Sequence, residues 1–387
     1  MTAFAIFALI VALNLWGSRR VRQTDLASHQ TTVLLISIWA LPFLGLMLAL
    51  MELKRQPRAF VATPRDKLPN GFVTTDPPVH IALPGAPEFS VQENLGLVNN
   101  LPFLNWQTLD AWVDAFPDAQ QRKAAANLGH QAWLLYLREA MGTHVNLYES
   151  DVALVLSSLE PHVAIATEKY VAKARLRIGH FLKDLAQFSN LAKSILIIFD
   201  NEEQYYQYVS TFYPDEGEFA LSSGMFIQFG CPHFVAVRAD LAAIEPIITH
   251  EMTHSALSHL KLPRWLDEGI AVNIEQAVAG SRTSSLTVQQ LRDKHLQFWN
   301  TSTIQEFWSG ESFFRADDGN LLSYELARIL VKFISSDFAA FAHFVKAANR
   351  QDAGAQAAQA HLSLDLGQCV ASFLESETAS DWSPALV

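Results

Sequence analysis

The chain has 387 residues, half of them hydrophobic, and a formal net charge of -11. That length suits two domains, or one large domain with an anchor. The acidic balance argues against nucleic acid as a partner, since that needs a basic stripe. Two cysteines, Cys231 and Cys369, supply neither a disulfide framework nor a thiolate metal site.

Hydrophobicity is concentrated at the start. Residues 2–16 (TAFAIFALIVALNLW) and 31–51 (TTVLLISIWALPFLGLMLALM) are uncharged apolar runs. A bilayer span takes ~20 helical residues. The two runs read as a transmembrane helical hairpin, with residues 1–55 as a membrane anchor and the lipid bilayer as a partner. A cleaved signal peptide fits residues 2–16 less well, because Arg19, Arg20 and Arg22 follow the run and no basic segment precedes it. The expected location is a multi-pass one, in a bacterial inner membrane. Basic residues after each run point to opposite sides.

Seven prolines fall within residues 56–90, and 56–105 reads as a tether. Residues 106–144 are helical, with Leu128, Trp133, Leu134 and Leu137 at mixed three and four spacing, as in a packing helical pair. From about 145 the pattern turns to α/β. Strands are expected at 152–156 and 195–199, and helices at 160–187 and 202–212. Residues 218–222, 225–229 and 234–237 read as a strand meander, the last at the edge of a cleft. The next helix carries histidines, with Pro246 in its first turn. It stops at Leu262-Pro263, and a further helix covers about 264–278. Helices at 286–298, 323–335 and 337–348 follow, then a C-terminal helix and an acidic, loose tail within 349–387.

The chemistry lies in His250-Glu251-Met252-Thr253-His254. Residues four apart share a helix face, so both imidazoles can bind one ion. Glu251 is turned about 100° around the axis. It is poorly placed to ligate that ion but can reach a water bound to it, as a general base does. A catalytic zinc takes three protein ligands and keeps one open position, so a third donor is required. Glu268 opens the following helix within Trp265-Leu266-Asp267-Glu268-Gly269. Packing the two helices antiparallel would bring it over the histidines.

HEMTH followed by WLDEGIAVNIEQ resembles the gluzincin clan of zinc metallopeptidases, as in the aminopeptidase-N and leukotriene-A4-hydrolase families. It is more similar still to bacterial peptidase MA-like domains, over about residues 145–348. The resemblance implies an α+β, zincin-like (thermolysin-like) catalytic domain with a small mixed sheet and an active-site helix. It implies Glu268 as third ligand beside His250 and His254, one Zn2+ per chain, and a peptide or protein substrate. Hydrolysis would proceed through a zinc-bound water with Glu251 as base. Ser323-Tyr324-Glu325-Leu326 is similar to the tyrosine-bearing helix of the clan, which gives Tyr324 the oxyanion; a half-buried structural tyrosine is the other reading. Gly224-Met225-Phe226-Ile227-Gln228 stands where the aminopeptidases carry a Gly-x-Met-x-Asn stretch, but without its acid, so exopeptidase action is not implied. The alternative function is a catalytically silent, zinc-stabilised binding module at the membrane.

Four other residues have a plain structural reading. Asp267 is a helix N-terminal acid or supports a ligand. Glu275, two turns past Glu268, either bonds a ligand histidine or is solvated. His259 reads as surface. His233 reads as surface or as a substrate contact.

Overall fold

A computed structural model describes residues 63–188, 192–213, 223–280, 286–376 and 382–385, with Asn14, Ser18, Arg19, Val21, Leu35 and Ile38. The chain divides into two units, Met1–Ala62 and Thr63–Val387. The second runs β1 (His80–Ile81), β2 (Phe89–Ser90), β3 (Leu95–Val98), β4 (Leu101–Leu104), α1 (Trp106–Asp114), α2 (Ala119–Met141), β5 (Asn146–Glu149), β6 (Ala153–Ser157), α3 (Pro161–Leu182) and β7 (Ser194–Phe199). It continues with α4 (Glu202–Val209), β8 (Gly224–Ile227), β9 (His233–Val237), α5 (Leu241–Leu257), α6 (Arg264–Ala279), α7 (Val288–Phe298), α8 (Thr303–Ser309), α9 (Asp318–Ile334), α10 (Phe338–Ala347), α11 (Ala355–Leu362) and α12 (Leu366–Phe373).

The central sheet has the order β5-β6-β7-β9-β8. Strands β6, β7 and β9 are parallel, and β5 and β8 flank them antiparallel. Alternate residues of the central strands serve two separate cores. Val155, Leu196, Ile198 and Phe234 join the helices on one face. Leu154, Leu156, Ile195, Ile197 and Val235 pack with α1, α2 and α4 on the other. Burial on both faces is why these strands read as unbroken apolar runs.

Several expectations change here. Strand β9 lies between β7 and β8, so it is not an edge; that position belongs to β8. Helix α5 begins at Leu241, which puts Pro246 inside the helix and costs it one main-chain bond. Within the expected tether, β1–β4 pair as two hairpins, and Ile81, Phe89, Val91 and Leu104 are buried. The turn Asn99-Asn100 has φ of 51° and 63°, which suits the tight β3–β4 hairpin. In the expected loose tail, Trp308 Nε1 donates to the Trp382 carbonyl (2.8 Å) and Gln305 Nε2 to that of Ser383 (2.9 Å). Cys231 and Cys369 are both free.

The membrane hairpin and the multi-pass location are corrected as well. Among the described residues no helix is long and apolar enough to cross a membrane. The long helices carry charge: α2 has Arg122, Lys123 and Glu139, and α3 has Lys169, Lys173 and Arg177 opposite its buried stripe. The runs 2–16 and 31–51 lie outside the described residues, save Asn14, Leu35 and Ile38.

Helix α6 is tied to the far end of the chain. Trp265 Nε1 donates to the Ala353 carbonyl (2.9 Å), and Arg350 Nε donates to that of Leu262 (3.0 Å). His233 is buried rather than exposed. Its Nδ1 lies 2.6 Å from the Cys231 carbonyl and so carries the proton, leaving Nε2 to accept from Tyr208 Oη at 2.7 Å. Burial lowers the pKa of His130, His233 and His295 to about 4. In the unfolded chain a histidine titrates near ~6.5, so between the two values the unfolded state holds more protons and stability falls as pH falls. We therefore expect urea midpoints to drop from about pH 6.5 to about pH 4, and His295→Gln to flatten that dependence. A variant with the slope of the parent would contradict this account.

Candidate metal centre

Helix α5 divides its faces by spacing. Ile244, Ile248, Met252 and Ala256, each four residues apart, are buried against the sheet. That leaves His250 and His254 on another flank, where α6 packs. Their Nε2 atoms are 3.1 Å apart. Glu268 Oε2 lies 3.2 Å from the first and 3.3 Å from the second. The resemblance-derived ligand set thus converges at one point, and the three side chains could hold a metal ion.

The opposite nitrogens are held from behind. Glu275 Oε2 is 3.2 Å from His250 Nδ1, and Glu275 is buried rather than solvated. Asp267 Oδ2 is 3.0 Å from His254 Nδ1, an ion-pair contact whose angle is not that of a hydrogen bond. A carboxylate behind an imidazole fixes which nitrogen faces forward and raises its basicity. The outer oxygen of Glu268 faces Arg264 Nη1 at 3.7 Å. His259 is exposed and plays no part.

Glu251 is half-buried beside the imidazoles. The Phe226 backbone N–H on edge strand β8 faces its carboxylate and favours the charged form, against the larger effect of burial. That donor belongs to the main chain, so no residue type announces it in the sequence. The strand comes this close because residue 224 is glycine. A Cβ there would sit 2.2 Å from Ile247 Cγ2 and 3.7 Å from Glu251 Cγ. Gly269 plays the same part between α6 and α9, where a Cβ would lie 2.6 Å from the Ala327 carbonyl oxygen. That close crossing brings Tyr324, nearly a turn before Ala327, over the site. Its ring centroid is 6.4 Å from that of His250, and Phe313 meets its edge at 5.2 Å.

Burial opposes charge at every one of these groups, and the outcome shows which charge the site favours. Burial alone would lower His250, but bonds to Glu268 and Glu275 outweigh it and hold the imidazole at about 9. His254 is raised well above its ordinary value against the same burial, by the charges of Asp267 and Glu268. Glu268 is held below the usual carboxylate range despite burial, by the two imidazoles. Glu251 is raised, because burial outweighs its neighbours. Tyr324 is raised well above the phenol range by burial and then by Glu268 and Glu251. Glu251, Asp267, Glu268 and Glu275 together make the meeting point of the imidazoles a strong attractor for positive charge.

The donor set fits a small divalent cation. Three tetrahedral donors at ~2.0–2.1 Å from a shared ion are held about 3.3 Å apart by geometry alone, and the three atoms here lie 3.1 to 3.3 Å from one another. No protein-family model and no curated protein matches this sequence. The meaning of the site therefore rests on its own geometry.

Removing a ligand and removing its support should differ in degree. We expect Glu268→Ala to abolish stoichiometric metal binding, and Glu275→Ala to weaken it by about 10–100-fold. Competition with a chelating dye measures both, and equal losses would mean that Glu268 is not the third donor. Gly224→Ala should destabilise the chain by about 1–3 kcal/mol through overpacking against Ile247. Denaturant unfolding checks it, and an unchanged midpoint would remove the constraint assigned to that contact.

Proposed function

We propose that this chain is a zinc metallopeptidase of gluzincin type, hydrolysing peptide bonds with His250, His254 and Glu268 as metal ligands. The observation that carries the reading is the convergence of three donor atoms beside a carboxylate, Glu251, that lies outside the donor set. A site needing metal only for stability has no use for that carboxylate.

Two imidazoles and one carboxylate suit zinc better than magnesium or calcium, which favour all-oxygen sets. When bound, zinc supplies Lewis acidity: it polarises a carbonyl and makes water easier to deprotonate. The remaining work falls to the chain's own residues. Glu251 accepts the proton of the attacking water and returns it to the departing amine. Burial raises its basicity, and the Phe226 N–H lies beside its carboxylate. Tyr324 keeps its proton, because its pKa is pushed up, and donates a hydrogen bond to the carbonyl oxygen as negative charge gathers there. Glu275 and Asp267 hold the imidazoles in register. Edge strand β8 stands beside Glu251 and offers main-chain groups to an extended peptide.

The full-length chain should purify with zinc near one per molecule, and His254→Ala with almost none, by elemental analysis. Glu251→Gln should keep the metal and lose about 100-fold or more in hydrolysis of a peptide library. Zinc at background would end the reading. A zinc-loaded parent inactive across the library would leave a binding module in its place.

A further inference from the structure

Helix α8 holds a distant stretch of its own chain as if it were a bound peptide. Gln305 Nε2 donates to the Ser383 carbonyl, and Gln305 Oε1 accepts from the Ala385 N–H, both at 2.9 Å. Trp308 Nε1 donates to the Trp382 carbonyl at 2.8 Å. One side-chain amide thus meets a carbonyl and the N–H two residues later, as a strand residue does with a parallel neighbour. Every one of these contacts is to main chain. Residue 384, which the pairing skips, is proline. It has no N–H to offer, and its fixed φ limits the freedom a loose segment must give up on docking.

The anchor of the segment is Trp382, half-buried against the helical core. Its Nε1 is buried with no hydrogen-bond partner among the described residues. A buried donor left unmet opposes docking, and the three main-chain bonds each replace a bond to water for a small net gain. The seat is filled but not locked. Its inner side leads toward the metal centre. Trp308 is buried and meets the edge of Trp265 at 5.5 Å, and Phe307 meets the same ring at 6.3 Å. Trp265 stands three residues before Glu268 on α6. Packed rings therefore join residue 382 to the helix that carries a candidate donor.

We propose that Gln305 and Trp308 form a docking site for a short peptide, and that residues 382–385 occupy it as a releasable strap which, when seated, steadies α6 and tightens metal binding. The chemistry of the seat defines what it takes: an aromatic anchor, then a carbonyl and an N–H two residues apart, with proline tolerated between them. The proposal rests on the candidate metal centre for one of its readouts and on no step of hydrolysis. Docking through main-chain groups, with side chains filling adjacent pockets, is a general mode of peptide recognition.

The test uses the full chain and two full-length variants. Ala385→Pro removes the N–H that Gln305 accepts, at an exposed position, and leaves the seat intact. Gln305→Ala removes the amide of the seat itself. Zinc affinity is measured by competition with a chelating dye. Binding of a fluorescein-labelled peptide of residues 381–387 (DWSPALV) is measured by anisotropy. Both variants should bind zinc about threefold or more weakly than the parent, within the range by which remote packing alters coupling between sites. The labelled peptide should bind Ala385→Pro well, and the parent and Gln305→Ala at least about tenfold more weakly, because the seat is filled in one and broken in the other. Unlabelled peptide should restore the zinc affinity of Ala385→Pro and leave that of Gln305→Ala low. Peptide that binds none of the three proteins, or all of them equally, overturns the docking site. Selective peptide binding with equal zinc affinity throughout overturns the link to α6. Zinc at background in all three, with peptide captured by Ala385→Pro alone, supports the docking site and sinks the metal centre together with that link.

Discussion

Carboxylates behind two imidazoles govern this structure. Glu275 occupies Nδ1 of His250, and Asp267 stands at Nδ1 of His254. With a carboxylate at each Nδ1, both Nε2 atoms turn toward Glu268 and toward each other. The arrangement depends on α6 lying tight against α5, because Asp267, Glu268 and Glu275 all belong to α6. It depends as well on α5 turning its aliphatic stripe to the sheet, which leaves the histidines to face α6.

Concentrating so much negative charge in a half-buried place is unfavourable for folding by itself. Charges removed from water lose hydration, and their mutual attraction recovers only part of it. Here the charge falls where a cation can compensate, and dense apolar packing surrounds it. Trp265, Leu266 and Ile270 sit on the buried side of the helix that carries Glu268. Violations of ordinary core rules tend to gather where chemistry is performed, and buried Glu268 and Glu275 on one helix are a concentrated case.

Much of this was legible in the sequence, for identifiable reasons. The i, i+4 histidines needed only helical periodicity, and 195–199 needed only an apolar run ended by Asp200. Glu268 was reached through helix–loop–helix spacing together with a resemblance. What escaped was set by partners distant in the chain. The order of strands in the sheet is a tertiary property, so β9 looked like an edge when β8 was one. Strands β1 and β2, two residues each in a proline-rich stretch, have no periodicity to detect. Pro246 signals a helix start by local rules, yet the packing of Ile244 extends α5 past it. The apolar runs near the N-terminus suggested a membrane hairpin that no described helix supports. Phe226 faces Glu251 with its amide, and a main-chain group leaves no trace in residue identity.

Helix α6 is secured to a segment made much later by the ribosome. The Trp265 indole rests on the carbonyl of Ala353, and Arg350 reaches back to Leu262. While synthesis has passed Glu268 but not yet reached these residues, the nascent chain already carries the three candidate donors, with α6 lacking its far anchor. Contacts spanning such separations form slowly compared with local ones. The fastening of α6 therefore waits until the chain has emerged past Ala353.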